Sequence, residues 1–177
     1  MVLVSGDPKI LRDVLLASGR RVKLYRRIVE ADGKTFEKDL VVFGSSVVIV
    51  PVLGDGRIVF VRQWRASIAG WVLELPAGRV EPGEDLLEAA GRELVEETGF
   101  RAGSLRVLGS FYVAPGYSDE VISVVRADGL VEGQSRPEEG EVLRTVFMRP
   151  EEYLGLLGKE TLDLKSIAGV LLYMSTG

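Results

Sequence analysis

The spacing of apolar and polar residues changes several times along the chain, and each change marks an element. Residues 22–29 and 36–43 are rich in β-branched and aromatic side chains and meet at Ala31-Asp32-Gly33, which predicts a hairpin. Residues 46–53 and 57–62 flank Gly54-Asp55-Gly56, a second hairpin signal with two glycines. Residues 71–75 form a short strand that runs into Pro76-Ala77-Gly78. The period then lengthens to that of a helix over about 84–98. Leu87, Ala90, Gly91, Leu94 and Thr98, with Val95 beside them, make its core-facing stripe, and Gly99 stops it. Glu88 and Arg92 are placed as an i,i+4 pair.

Three further strands are expected at 105–113, 120–126 and 142–148, separated by polar loops at 114–119 and 128–140. Pro150 opens a short helix to about 157. A last helix spans about 161–173, with Ile167, Val170 and Leu171 as its buried side. Several strands with few helices predict an α+β fold.

The polar face of the helix over 84–98 changes this picture. At about 100° per residue, Glu93 and Glu97 lie roughly 40° apart, with Glu96 about 60° to the other side. Like charges at these spacings destabilise a helix, so a cation is expected among them.

Composition narrows the chemistry. The chain has 177 residues, 46% hydrophobic and 27% charged, as one globular domain requires. A net charge of −4 without a dense basic run argues against nucleic-acid binding. No apolar run is long enough to span a bilayer, and the N-terminus lacks the pattern of a secretory signal, so a cytoplasmic protein is expected. There is no cysteine and no histidine. That removes thiolate and imidazole catalysis and any Cys- or His-based metal site. Acid–base work falls to carboxylates, Lys, Tyr or metal-bound water, and any metal takes oxygen ligands, which favours Mg²⁺, Mn²⁺ or Ca²⁺.

The stretch 78–100 reads GRVEPGEDLLEAAGRELVEETGF. Gly78, five residues, Glu84, seven residues, then Arg92-Glu93-Leu94, one residue, Glu96-Glu97, one residue and Gly99-Phe100 match the Nudix hydrolase signature at every defined position. The chain resembles that superfamily over nearly its whole length. The resemblance implies a mixed β-sheet sandwiched between α-helices, preceded by an N-terminal antiparallel β-hairpin region. It divides the chain into residues 1–43, for dimerisation and substrate contact, and 44–177, the Nudix hydrolase domain.

It also implies roles for residues. Glu93 and Glu97 are the main ligands of a divalent cation, Mg²⁺ with Mn²⁺ as a substitute. Glu96 is auxiliary, and the Ala77 carbonyl is a further ligand. Gly78 allows a backbone conformation closed to other residues. Glu84 and Arg92 brace the loop against the helix.

Features outside the box resemble the ADP-ribose pyrophosphatase subgroup. Pro115 lies sixteen residues after Gly99, within Ala114-Pro115-Gly116-Tyr117-Ser118-Asp119-Glu120, and Gln63-Trp64-Arg65 resembles that subgroup's Gln-x-Arg segment. Arg65, Arg79, Pro115, Gly116, Glu120 and Lys38 are the implied substrate contacts. Tyr25, Phe36 and Trp64 are candidates to stack on adenine. The resemblance places the catalytic base in the loop before the last strand, as Glu139, with Glu141 an extra metal ligand or substitute base. The implied reaction is Mg²⁺-dependent hydrolysis of ADP-ribose, or a related nucleoside diphosphate sugar, to AMP and ribose 5-phosphate, by a homodimer. Two alternatives share this frame. One is a Nudix pyrophosphatase for dinucleoside polyphosphates or oxidised nucleotides. The other is a silent nucleotide-binding domain; such domains typically lose box acids, and this chain keeps them all.

Overall fold

The computed structural model describes residues 7–137, 140 and 142–176. The chain divides into two compact units, one running to Gly44 and including Tyr112–Val121, the other made of Ser45–Phe111 and the chain from Ile122 onward.

The first unit is a three-stranded antiparallel meander of β1 (Lys9–Ser18), β2 (Lys23–Ala31) and β3 (Lys34–Val42). Asp32 and Gly33 turn the β2–β3 hairpin with φ of 51° and 71°, the positive values a two-residue turn of this hand requires. β1 was not predicted. Its apolar residues do not alternate, and all ten positions are exposed, so no half-buried period marks it.

The second unit holds β4 (Ser45–Pro51), β5 (Ile58–Arg65), β6 (Gly70–Glu74), β7 (Ala77–Arg79), α1 (Leu86–Thr98), β8 (Ser104–Tyr112), β9 (Val121–Asp128), β10 (Leu143–Met148), α2 (Pro150–Leu154) and α3 (Leu164–Ser175). Its strands form two sheets, β10-β5-β6 and β7-β4-β9-β8. β7 is antiparallel to β4, whereas hydrogen bonds from Val121 N to Gly44 O and from Val52 N to Ala127 O run β9 parallel to it. The fold is the expected mixed α+β architecture.

β4 explains the layering. Val47, Val48, Ile49 and Val50 are all fully buried, which requires cover on both faces. Val47 and Ile49 pack with Ala89, Ala90 and Leu94 of α1, while Val48 and Val50 pack with Tyr153 of α2 and Val170 of α3. The strand is thus sandwiched between helices.

Three expectations need correction. The Gly54–Gly56 turn does reverse the chain, with a bridge from Val52 to Ile58, but β4 and β5 then part into different sheets because each is a buried central strand. The first long helix starts at Leu86, since Asp85 caps it by accepting from Leu87 N at 2.8 Å. In the last helix Leu171 is exposed, and Ser166, Gly169 and Val170 form the buried side. A side-chain carbon on Gly169 would come within 2.8 Å of Leu75 Cδ1, so small residues let α3 approach the sheet there. Among the described residues no helix is long and apolar enough to cross a membrane.

Candidate active site

The site begins with how β7 is held. Ala77, Gly78 and Arg79 pair with Val48, Val47 and Ser46, so a fully buried strand fixes this short extended segment. Pro76 O accepts from Ile49 N at 2.8 Å, and Ser45 O accepts from Val80 N at 3.0 Å. The chain then turns through residues 80–85 into α1, whose C-terminus is closed by Gly99 at φ 80°.

Gly78 faces Glu93. It is not among the positive-φ glycines, which corrects the expectation of a special backbone conformation. The requirement is space: a side-chain carbon built there would overlap all three atoms of the Glu93 carboxylate group. Glu97 is 2% exposed, and its Oε2 accepts from Ala77 N at 3.2 Å.

The expected cation is Arg92. Its Nε and Nη2 meet the two carboxylate oxygens of Glu84 at 2.8 and 3.0 Å, and Nη2 also donates to Arg79 O at 2.9 Å. Nη1 donates to Glu93 at 2.8 Å and to Glu96 at 3.1 Å. Arg92 therefore reaches back to the loop rather than to Glu88, which corrects the expected i,i+4 pair. Its hydrogen bonds hold the Glu84 carboxyl below the usual range, and Glu84 in turn keeps the guanidinium more firmly protonated.

Three carboxylates (Glu84, Glu93 and Glu96) gather around one guanidinium, and Glu97 lies beside them on the Ala77 amide. Among the described residues no three acidic groups form a ready-made cation cage. Glu93 and Glu96 are instead drawn to Arg92, and Glu97 to the Ala77 amide. The donors fit a hard divalent cation: they are all oxygens, they carry excess negative charge, and the space beside Gly78 lets a carboxylate lie against the backbone.

Arg65 ends β5 in the same unit. It grips Glu74 through Nε and Nη2, both at 2.7 Å, and the charge of Glu97 acts on it. Arg79 contributes its carbonyl to Arg92 and its backbone to the pairing with Ser46. Lys38, Pro115 and Gly116 come together in the first unit, lining a cavity of about 560 Å³ with Tyr112, Tyr117 and Asp119 among their neighbours. Glu120 adjoins this loop, its amide donating to Ser118 Oγ at 3.2 Å. Glu139 and Glu141 lie outside the described residues.

Several of these neighbours stand apart from the residues expected at the site. Tyr112 and Tyr117 flank the proline-glycine loop and are 67% and 59% exposed, yet neither was among the stacking candidates. A tyrosine on each side of that loop was the available signal. The contacts of Arg65 with Glu74, and of Glu74 with Lys165, had no local signal.

The loop that leads towards Glu139 is anchored on α1. Arg136 N donates to Glu96 O at 2.9 Å, and a side-chain carbon on Gly99 would come within 2.8 Å of Gly133 O.

Several known proteins resemble this chain. Residues 42–168 match the NUDIX domain family. The chain is 32% identical over 166 residues to an ADP-ribose pyrophosphatase of Bacillus subtilis (strain 168), covering 92% of this chain and 90% of the relative. It is 31% identical over 168 residues to a methanol dehydrogenase activator of Bacillus methanolicus, covering 93% and 91%. A solved structure described as an ADP compounds hydrolase superposes with a TM-score of 0.85 at 25% identity, covering 97% of this chain and 94% of that one. A complete signature folded onto a braced acidic helix, matched along almost the whole chain, makes this protein a member of the Nudix family and a Nudix hydrolase.

Proposed function

We propose that the protein hydrolyses the pyrophosphate bond of ADP-ribose in a Mg²⁺-dependent reaction, giving AMP and ribose 5-phosphate. The observation that carries this reading is the Arg92-braced set of carboxylates on α1, in a chain that aligns almost end to end with an ADP-ribose pyrophosphatase. Glu93 and Glu97, with Glu96 and the Ala77 carbonyl, hold the cation. When bound, it neutralises the diphosphate and makes a coordinated water more acidic.

The remaining steps belong to the protein. Glu139 takes the proton from the attacking water, with Glu141 as the alternative base. Oxygen adds to one phosphorus, the bridging P–O bond breaks, and the other phosphate leaves. The anchoring of the preceding loop on Glu96 and Gly99 supports a base from that segment. Arg65 and Arg79 bind the diphosphate. Lys38, Pro115, Gly116 and Glu120 contact the nucleoside portion, and the neighbouring exposed tyrosines suit a nucleobase. The active form is a homodimer. Its support is β1, which exposes Ile10, Leu11, Val14, Leu15 and Leu16.

The purified protein, assayed with Mg²⁺ against ADP-ribose, ADP-sugars, diadenosine polyphosphates and nucleoside triphosphates, tests the substrate. ADP-ribose should rank among the best by kcat/KM. A clear preference for one of the other classes would reassign the specificity. Light scattering should give twice the chain mass; a monomer would remove the dimer.

A further inference from the structure

Arg65 does not lie as a free surface arginine. In the β5–β6 hairpin it stands opposite Gly70, whereas Glu74 stands opposite Val61, four positions further along. The two backbone positions therefore lie about 13 Å apart along the strands, and both side chains must reach along the sheet face, past Val72, to meet. The guanidinium meets Glu74 with both Nε and Nη2. Because the guanidinium is a rigid plane, gripping that edge fixes where the Nη1 edge points. No hydrogen bond occupies Nη1 among the described residues.

Glu74 is itself held by a second cation. It is 2% exposed, and Lys165 Nζ donates to its Oε2 and also to Asp163 Oδ2. Charges alternate along Arg65, Glu74, Lys165 and Asp163. Asp163 caps α3 by accepting from Ser166 N at 3.1 Å, Ser166 Oγ accepts from Leu75 N at 2.7 Å, and Thr161 O accepts from Leu73 N at 3.1 Å. The first turn of α3 is thus stitched to the segment that leads into Ala77 and Gly78.

We infer that Glu74 and Lys165 are positioning residues for Arg65, aiming its unengaged edge at the substrate's diphosphate. This rests on the reading of Arg65 as a diphosphate contact. A carboxylate buried between two cations cannot swing without leaving a charge unpaired, so the position of Arg65 is set by α3, a helix outside the Nudix box.

The test is a double-mutant cycle on KM and kcat for ADP-ribose with Mg²⁺. Arg65→Ala should raise KM about tenfold or more. Lys165→Met should raise it about three- to tenfold with kcat within about twofold, and should add nothing in the Arg65→Ala background. Lys165→Arg should restore KM to about the parent value, and Lys165→Gln serves if Lys165→Met does not fold. If the two KM effects multiply independently, Lys165 only stabilises the fold and the positioning role is overturned while the Arg65 contact stands. If Arg65→Ala leaves KM unchanged, the diphosphate contact itself fails and takes the positioning role with it.

Discussion

The Glu93 carboxylate occupies the volume that a side chain at position 78 would fill, so Gly78 and Glu93 are a steric pair across the loop–helix junction. Gly78→Ala must push either β7 or Glu93 aside. β7 is pinned by its pairing with the buried β4, so Glu93 moves.

The expected result for Gly78→Ala is a fall in kcat of about 100-fold, the cost of misplacing a reacting group by about 1 Å. Overpacking should cost about 1–3 kcal/mol of stability, which a protein of this size can bear. Steady-state kinetics and thermal denaturation check both. Normal turnover in a folded variant would show that Glu93 need not lie against the backbone.

Arg92 joins Glu84, Glu93, Glu96 and the Arg79 carbonyl with one planar group. A lysine keeps the charge but cannot make that fork. Arg92→Lys should lose about 10–100-fold in activity or apparent metal affinity. Titration of rate against Mg²⁺ reads this, and an unaltered titration would reduce Arg92 to a surface ion pair.

Glu97→Gln keeps the shape of a buried side chain and can still accept from Ala77 N. Its fold should survive while kcat drops by orders of magnitude, because the proposed metal site loses one negative charge. Glu139→Gln should cut turnover while sparing metal binding. Should Glu141→Gln do so instead, the base and the auxiliary residue exchange roles.

Burial pushes the Glu74 carboxyl up, but its bonds to Arg65 and its contact with Lys165 outweigh that and hold it below its ordinary value of 4.5. A depressed folded value means that the stabilisation is complete above 4.5 and is lost as pH falls through the folded value. The parent protein should therefore lose stability on the acid side of 4.5, and Glu74→Gln should flatten that part of the curve. Above 4.5 the variant leaves Arg65 and Lys165 without their carboxylate and should be about 3–5 kcal/mol less stable than the parent, a gap that narrows as pH falls. Denaturant melts at several pH values measure both. An equal acid slope in parent and variant would contradict the assignment.

Much of the fold was legible because its signals are local. α1 follows from periodicity and a Gly99 stop, although the Asp85 cap moves its start to Leu86, and the acidic wedge follows from helix geometry alone. β1 was invisible because neither face is buried, so it carries no alternation. The parting of β4 and β5 was equally hidden, since a turn signal states that the chain reverses and not which strand it then joins. On α3 Val170 and Ile167 face the core as hydrophobicity indicates, but Leu171 is exposed, and the small Gly169 lies against Leu75 on the buried side instead.

The sequence by itself carried the complete Nudix signature from Gly78 to Phe100, and the reaction class came through that resemblance. Without His or Cys any metal would need oxygen ligands, and helix geometry sets Glu93, Glu96 and Glu97 on one wedge. Tertiary structure decided what holds them. Arg92 reaches across the loop to Glu84, Gly78 yields its space to Glu93, and Arg65 is fixed through Glu74 by a lysine 91 residues further along the chain. Helix periodicity acts over a few residues and can be read in order. Steric and electrostatic complementarity act through space, between segments that the linear chain keeps apart.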